Sequence, residues 1–264
     1  MSTEKVRASE STSKKYAVLV KIRAPAGVSI YHPLATTAAP SYPLPPPTTL
    51  AGALAYSYLR TTEFTELVEV EKTRNTYSPT ILILDKIAYA AAGAEGWMLT
   101  KDIERVYQLI YQRMERWGLL ELAYTVGVRG NTYYPNDRLY LLYILKDEEL
   151  AKHAYGITRI GRKENLVSVE DIIIEELSKV IKSVGSGTFK TYFYLPEEIA
   201  VCTNHEIISL PKLTKENFGT TTSPATERYC VSKGLGAVRG ELKSSGVLIE
   251  IDDFEIPVPR QVMS

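Results

Sequence analysis

Between residues 24 and 59 the chain carries no Asp, Glu, Lys or Arg, although charged residues make up 23% of its 264 residues. Seven of the fourteen prolines lie in that stretch, which closes with the run YPLPPPTTLAGALAYSYL at 42–59. The prolines impose a stiff, extended entry, and a helix is expected to start at Thr48 or Thr49. Pro47 is tolerated just before a helix but cannot continue one, and a threonine hydroxyl can accept from a free amide of the first turn. Leu50, Leu54 and Tyr58 share one stripe of this helix, with Ala51, Gly52, Ala53 and Ala55 around the rest. A helix without a charged face is buried on most sides. It is expected between a sheet and a second layer or another subunit, with Gly52 in a tight contact.

A chain of this length buries a full core and reads as one large domain or a domain with a smaller lobe. The 31 basic and 31 acidic residues cancel, which excludes a bulk polycation that coats nucleic acid. The charges are nevertheless sorted. Residues 1–23 hold six basic against two acidic groups, and Lys152, Arg159, Arg162 and Lys163 stand beside Glu164 and just ahead of Glu170, Asp171, Glu175 and Glu176. Solvated surface and a local nucleic-acid strip both fit such runs. Cys202 and Cys230 are too few for a disulfide framework or a metal cluster; reduced thiols are expected, and one bridge is the other state open to them. The start lacks the apolar core of a signal peptide, and the charge-free stretch is too broken by proline to span a bilayer. A soluble, cytoplasmic protein is expected.

The pattern predicts a disordered tail over 1–15, then a strand over 16–23 with Val18, Val20 and Ile22 on one face and Leu19, Lys21 and Arg23 on the other. A second strand is expected over 79–92 with a bend near Asp85. A helix is expected from Lys101 to Trp117, since Ile103, Val106, Tyr107, Ile110, Tyr111, Met114 and Trp117 fall at helical spacing and Gly118 ends the run. A hairpin is expected near 120–145, its long turn running from Arg129 to Asp137 with Tyr133 and Tyr134 between Arg129 and Arg138. Guanidinium and aromatic planes on a protruding hairpin can wedge beside unpaired bases, although the residues alone favour an ordinary exposed loop slightly. A short helix near 148–155 precedes GITRIGRKE at 156–164, where two glycines would let the backbone approach a ligand and three cations suit phosphate. From 181 to 264 the chain reads as short strands and turns.

Catalytic signatures are sparse. The glycines of KGLGAVRG at 233–240 lack the Gly-Lys-Ser/Thr of a phosphate-binding loop and read as turns in a β region. No Gly-x-Ser-x-Gly elbow or zinc-ligand cluster occurs, and Asp252-Asp253 has no evident metal partners.

Together, the run at 42–54 and the run at 156–164 resemble the Cas-five family of the repeat-associated RAMP superfamily, most closely its archaeal type I-A members. The resemblance covers about 16–169 and is thin beyond 180. It implies an α+β fold: a ferredoxin-like, RNA-recognition-type domain over 16–180 with a protruding thumb hairpin, and a smaller β-rich C-terminal part. It implies a non-catalytic Cascade subunit without cofactor or metal. Such a subunit holds the 5′ handle of the mature CRISPR RNA, caps the filament of backbone subunits, and helps dock the large subunit that inspects target DNA. By carry-over, Thr48 and Thr49 would meet phosphate at the helix start, and Arg159, Arg162 and Lys163 would hold further phosphates. Arg129, Tyr133, Tyr134 and Arg138 would form the thumb, and Lys21 and Arg23 would add cations from the first strand. Thr48 as a simple cap and Arg162 in a salt bridge to the acidic run are the structural alternatives. One branch of the family cuts precursor RNA with tyrosine, lysine and histidine; Lys152-His153 superficially matches, but consecutive helical side chains diverge by about 100 degrees. A third reading takes Pro45-Pro46-Pro47 as a polyproline ligand in a protein-interaction module.

Overall fold

A computed structural model describes residues 14–32, 40–62, 65, 67–70, 75–107, 124–219 and 223–264. In chain order the first part contains β1 (Tyr16–Arg23), α1 (Pro47–Leu59), β2 (Val68–Val70), β3 (Asn75–Tyr77), β4 (Ile87–Gly93), β5 (Met98–Tyr107), β6 (Tyr124–Tyr133), β7 (Arg138–Leu145), α2 (Glu148–Lys152) and β8 (Ser168–Glu176). The rest contains α3 (Leu177–Val180), β9 (Ile181–Val184), β10 (Thr188–Thr191), β11 (Leu195–Pro196), β12 (Ala200–Thr203), β13 (His205–Pro211), β14 (Thr226–Ser232), β15 (Val238–Leu242), β16 (Gly246–Ile251) and β17 (Phe254–Pro259).

The central sheet is antiparallel with order β4-β7-β1-β8. Val18, Val20 and Ile22 pair with Tyr143, Leu141 and Leu139, so these side chains share one face. That face meets α1, where the Tyr143 hydroxyl donates to the Leu50 carbonyl at 3.1 Å. Leu50, Ala51 and Leu54 are fully buried there, and each leucine contributes about 1.5–3 kcal/mol by leaving water. The other face is also covered. Tyr140 packs on Phe254 with the rings tilted and 4.6 Å between centroids, and Lys21 pairs with Asp252 at 2.9 Å, so the β16–β17 corner closes the second side. This double coverage is why β7 is almost continuously apolar. The C-terminal part consists of three-stranded sheets ordered β10-β15-β12, β11-β14-β13 and β17-β16-β9, as expected of a β-rich region.

Four expectations are corrected. Residues 79–86 form two 3-10 turns, because Pro79 opens one and the Ser78 side chain accepts from the Thr80 amide; the strand begins only at Ile87. Lys101 to Tyr107 is strand, not helix, since β5 pairs in a ten-residue antiparallel ladder with β6; residues 108–117 of the expected helix lie outside the described residues. β6 and β7 do not pair with each other as a hairpin: β6 goes to β5, while β7 enters the central sheet. Arg129 to Tyr133 therefore belong to a strand, and the connection to β7 is a tight turn with Asn136 and Asp137 at φ 54° and 59°. Of the expected disordered tail, residues 1–13 lie outside the described residues. Lys15 is held, donating to the Val262 carbonyl at 2.9 Å.

Candidate functional site

The exposed side of α1 lines a groove of about 400 Å³, with Gly52 and Tyr56 on one wall and Arg159 and Lys163 on the other. Helix α1 starts at Pro47 with Pro46 as its cap, and no side chain caps it. The threonine cap is thus corrected. The Thr49 and Leu50 amides both donate to the Pro46 carbonyl, so few amides remain for an anion. Thr48 and Thr49 lie apart from the groove, in a separate recess of about 200 Å³ with Tyr31 and Tyr42. Gly52 is not in a tight contact: a Cβ there would meet Thr80 Oγ1 at an ordinary 3.8 Å.

The segment after α2 is braced against the rest of the protein. Ser57 on α1 donates to the His153 carbonyl, and a Cβ on Gly156 would lie 2.1 Å from Ser57 Oγ. Gly161 has φ +80° and lies so close to Ser29 that a Cβ would meet its carbonyl at 2.8 Å. Asn165, buried, accepts from the Ser29 amide and donates to the Gly27 carbonyl. The two glycines therefore serve close packing within the chain rather than approach of a ligand. Ile157 and Ile160 are buried beneath this segment, which stands as a wall with different cations on its two sides.

On the groove side, the Arg159 guanidinium lies 3.9 Å from the centroid of the Tyr56 ring, with Arg60 5.3 Å from the same ring. Such stacking leaves the guanidinium edge available for phosphate oxygens. Among the described residues no carboxylate pairs with Arg159 or Lys163. On the other side, Arg162 lines a polar recess of about 280 Å³ with Arg129, Tyr133, Asp102 and Asn131. Arg162 Nη2 is 3.4 Å from Glu164, a neighbour in the loop, and among the described residues it forms no ion pair with the acidic run. Tyr133 donates to Asp102 at 3.4 Å.

The remaining predicted residues are placed differently. Lys21 bonds Asp252 and Asp171, contacts that hold its ammonium above the usual lysine range. Arg23 donates to Glu170 at 2.6 Å and to the Asn136 carbonyl, and Arg138 stands 3.8 Å from the same Glu170. Tyr134 is a core residue, 5% exposed, whose phenol is pushed far upward by burial, so it cannot stack on a base. Lys152 pairs with Glu148 and Glu149, whereas His153 lies edge-on against Tyr58. Sequence reasoning missed Tyr56 and Asp102. Tyr56 on α1 and Arg60 at its C-terminal cap stand four apart, a spacing that could have marked the groove.

In architecture the chain is similar to a CRISPR protein from Archaeoglobus fulgidus, with a TM-score of 0.56 over 92% of this chain and 99% of that one, at 16% identity. That likeness concerns the fold alone. In sequence it is 37% identical over 195 residues to CRISPR system aCascade subunit Cas5 1 of Saccharolobus solfataricus, covering 72% of this chain and 76% of that protein. It is 36% identical over 194 residues to CRISPR-associated protein Cas5 3 of the same organism, with the same coverage. No family model matches the chain. The chain belongs to the Cas5 family of CRISPR-associated proteins.

Proposed function

We propose that this chain is a subunit of a type I-A Cascade that holds the 5′ handle of the mature CRISPR RNA, caps the filament of backbone subunits and performs no cleavage itself. The observation that carries the reading is the 37% identity to an aCascade subunit over most of both chains. The sheet order supports a ferredoxin-like domain, since β1-α1-β4-β7-α2-β8 traces the βαββαβ path with β1 and β7 in the middle. The β5–β6 ladder outside that sheet is the element that would serve as the thumb. RNA phosphates would lie along the groove against Arg159 and Lys163, and the strand would cross the wall towards Arg129, Tyr133 and Arg162. Guide pairing carries the sequence information in such a particle, so shape and backbone recognition suffice for this subunit. The large subunit that inspects target DNA would dock nearby, in the cytoplasm. The commitment of Lys152 to Glu148 and Glu149 supports a non-catalytic role.

Recovering the protein from its native host and sequencing the attached small RNAs tests the reading. CRISPR RNAs beginning with a repeat-derived handle are expected, and a background of unrelated transcripts would refute it. Repeat RNA incubated with the purified protein in EDTA should stay intact. Site-specific cuts that vanish in His153→Ala would instead make the protein a nuclease.

A further inference from the structure

The C-terminal part holds two thiols that the proposed RNA role does not use. Cys202 lies on β12, opposite Gly240 in the β10-β15-β12 sheet. Cys230 lies on β14, between Leu195 and Ile207 in the β11-β14-β13 sheet. These sheets pack on each other through a small core of their own, formed by Phe189, Leu195, Ile199, Val238 and Leu242, with Cys230 inside it and Cys202 against it. The two cysteines thus border the same small core, one from each sheet, and the Cys230 side chain beside it holds the Cys202 thiol below its ordinary range. Cys230 is 1% exposed, whereas Cys202 is half-buried and open to reagents.

We propose that Cys202 and Cys230 are an intramolecular disulfide site, a covalent clasp between the two C-terminal sheets. Cys202 is the more accessible sulfur, and the neighbouring Cys230 side chain lowers its pKa, so Cys202 is the first nucleophile. With glutathione disulfide as oxidant, the Cys202 thiolate attacks one sulfur and expels glutathione thiolate, leaving a mixed disulfide on Cys202. Cys230 then gives up its proton and attacks the Cys202 sulfur, expelling the second glutathione. The protein loses two hydrogens and two electrons, and the oxidant leaves as two glutathione molecules. The bond joins positions 28 apart in the sequence, so it removes loop freedom from the unfolded chain and raises the melting temperature.

The test uses the full chain, reduced and then incubated with glutathione disulfide. Intact mass should fall by two hydrogens, and both denatured-state thiols should become unreactive to an aromatic disulfide reagent. The melting temperature should rise by roughly 5–10 °C and return on adding dithiothreitol. Cys202→Ser should abolish the shift. Cys230→Ala, with no partner to resolve the adduct, should retain one glutathione. If Cys230→Ala fails to fold, Cys230→Val provides the same reading. Two free thiols, a lasting glutathione adduct on the native chain, or a covalent dimer would each overturn the proposal. None of these outcomes depends on RNA binding.

Discussion

Gly156 illustrates how single positions set the wall beside the groove. Any Cβ there would collide with Ser57 Oγ, whose hydroxyl already holds the His153 carbonyl. Gly156→Ala is therefore expected to destabilise the protein by roughly 1–3 kcal/mol in urea unfolding, through overpacking. An unchanged midpoint would mean that α1 and the wall are not in close contact. Asp147 acts at the same scale. Its carboxylate caps α2 by accepting from the Glu149 and Leu150 amides, and Lys86 bonds it at 2.7 Å. The Lys86 hydrogen bond, followed by the amides, holds the acid below its ordinary value of 3.8. A depressed carboxylate stabilises the fold above its unfolded pKa and loses that contribution as pH falls through the folded value. Asp147→Asn, which keeps a capping oxygen, should be less stable than the native chain from pH 5 to 8, and the gap should begin to close only as pH falls below about 4. A gap that persists into acid would assign the loss to something other than charge.

At the scale of elements, α1 is a buried helix with one open side. Leu50, Ala51 and Leu54 face the sheet, whereas Gly52 and Tyr56 face the groove. Gly52→Leu is expected to fold, with the melting temperature held or raised because leucine favours helix over glycine, yet to weaken RNA binding at least tenfold by filling the groove. Loss of the fold would put Gly52 back in a packed contact. The elements that were legible in the sequence carry their own periodicity. Val18, Val20 and Ile22 mark β1, the charge-free run marks α1, and short alternating runs mark the C-terminal strands. β5 was not legible, because Ile103, Val106 and Tyr107 satisfy helical spacing while the choice of strand comes from pairing with distant β6. For the same reason β7 looked like the return arm of a hairpin, although its partners are β1 and β4.

For the whole molecule, neutrality conceals a division of charge. The acidic run on β8 is used internally, with Glu170 taken by Arg23, Asp171 by Lys21 and Glu176 by Lys14. Lys21 thereby helps hold the β16–β17 corner against the central sheet, and both cations tie β1 to β8 within it. Composition and spacing identified the loop cations but could not reveal that Arg159 and Lys163 line one recess and Arg162 another. The central claim is that the first pair grips RNA phosphates. Affinity of the chain for single-stranded repeat RNA, titrated across salt concentrations for the native protein and for Arg159→Ala/Lys163→Ala, tests it most directly. Each phosphate contact contributes about −0.7 to the slope of log K against log salt on single strands, so the double variant should bind at least tenfold more weakly and flatten the slope by about 1.4. The same affinity and slope in both proteins, with the fold intact, would contradict the account.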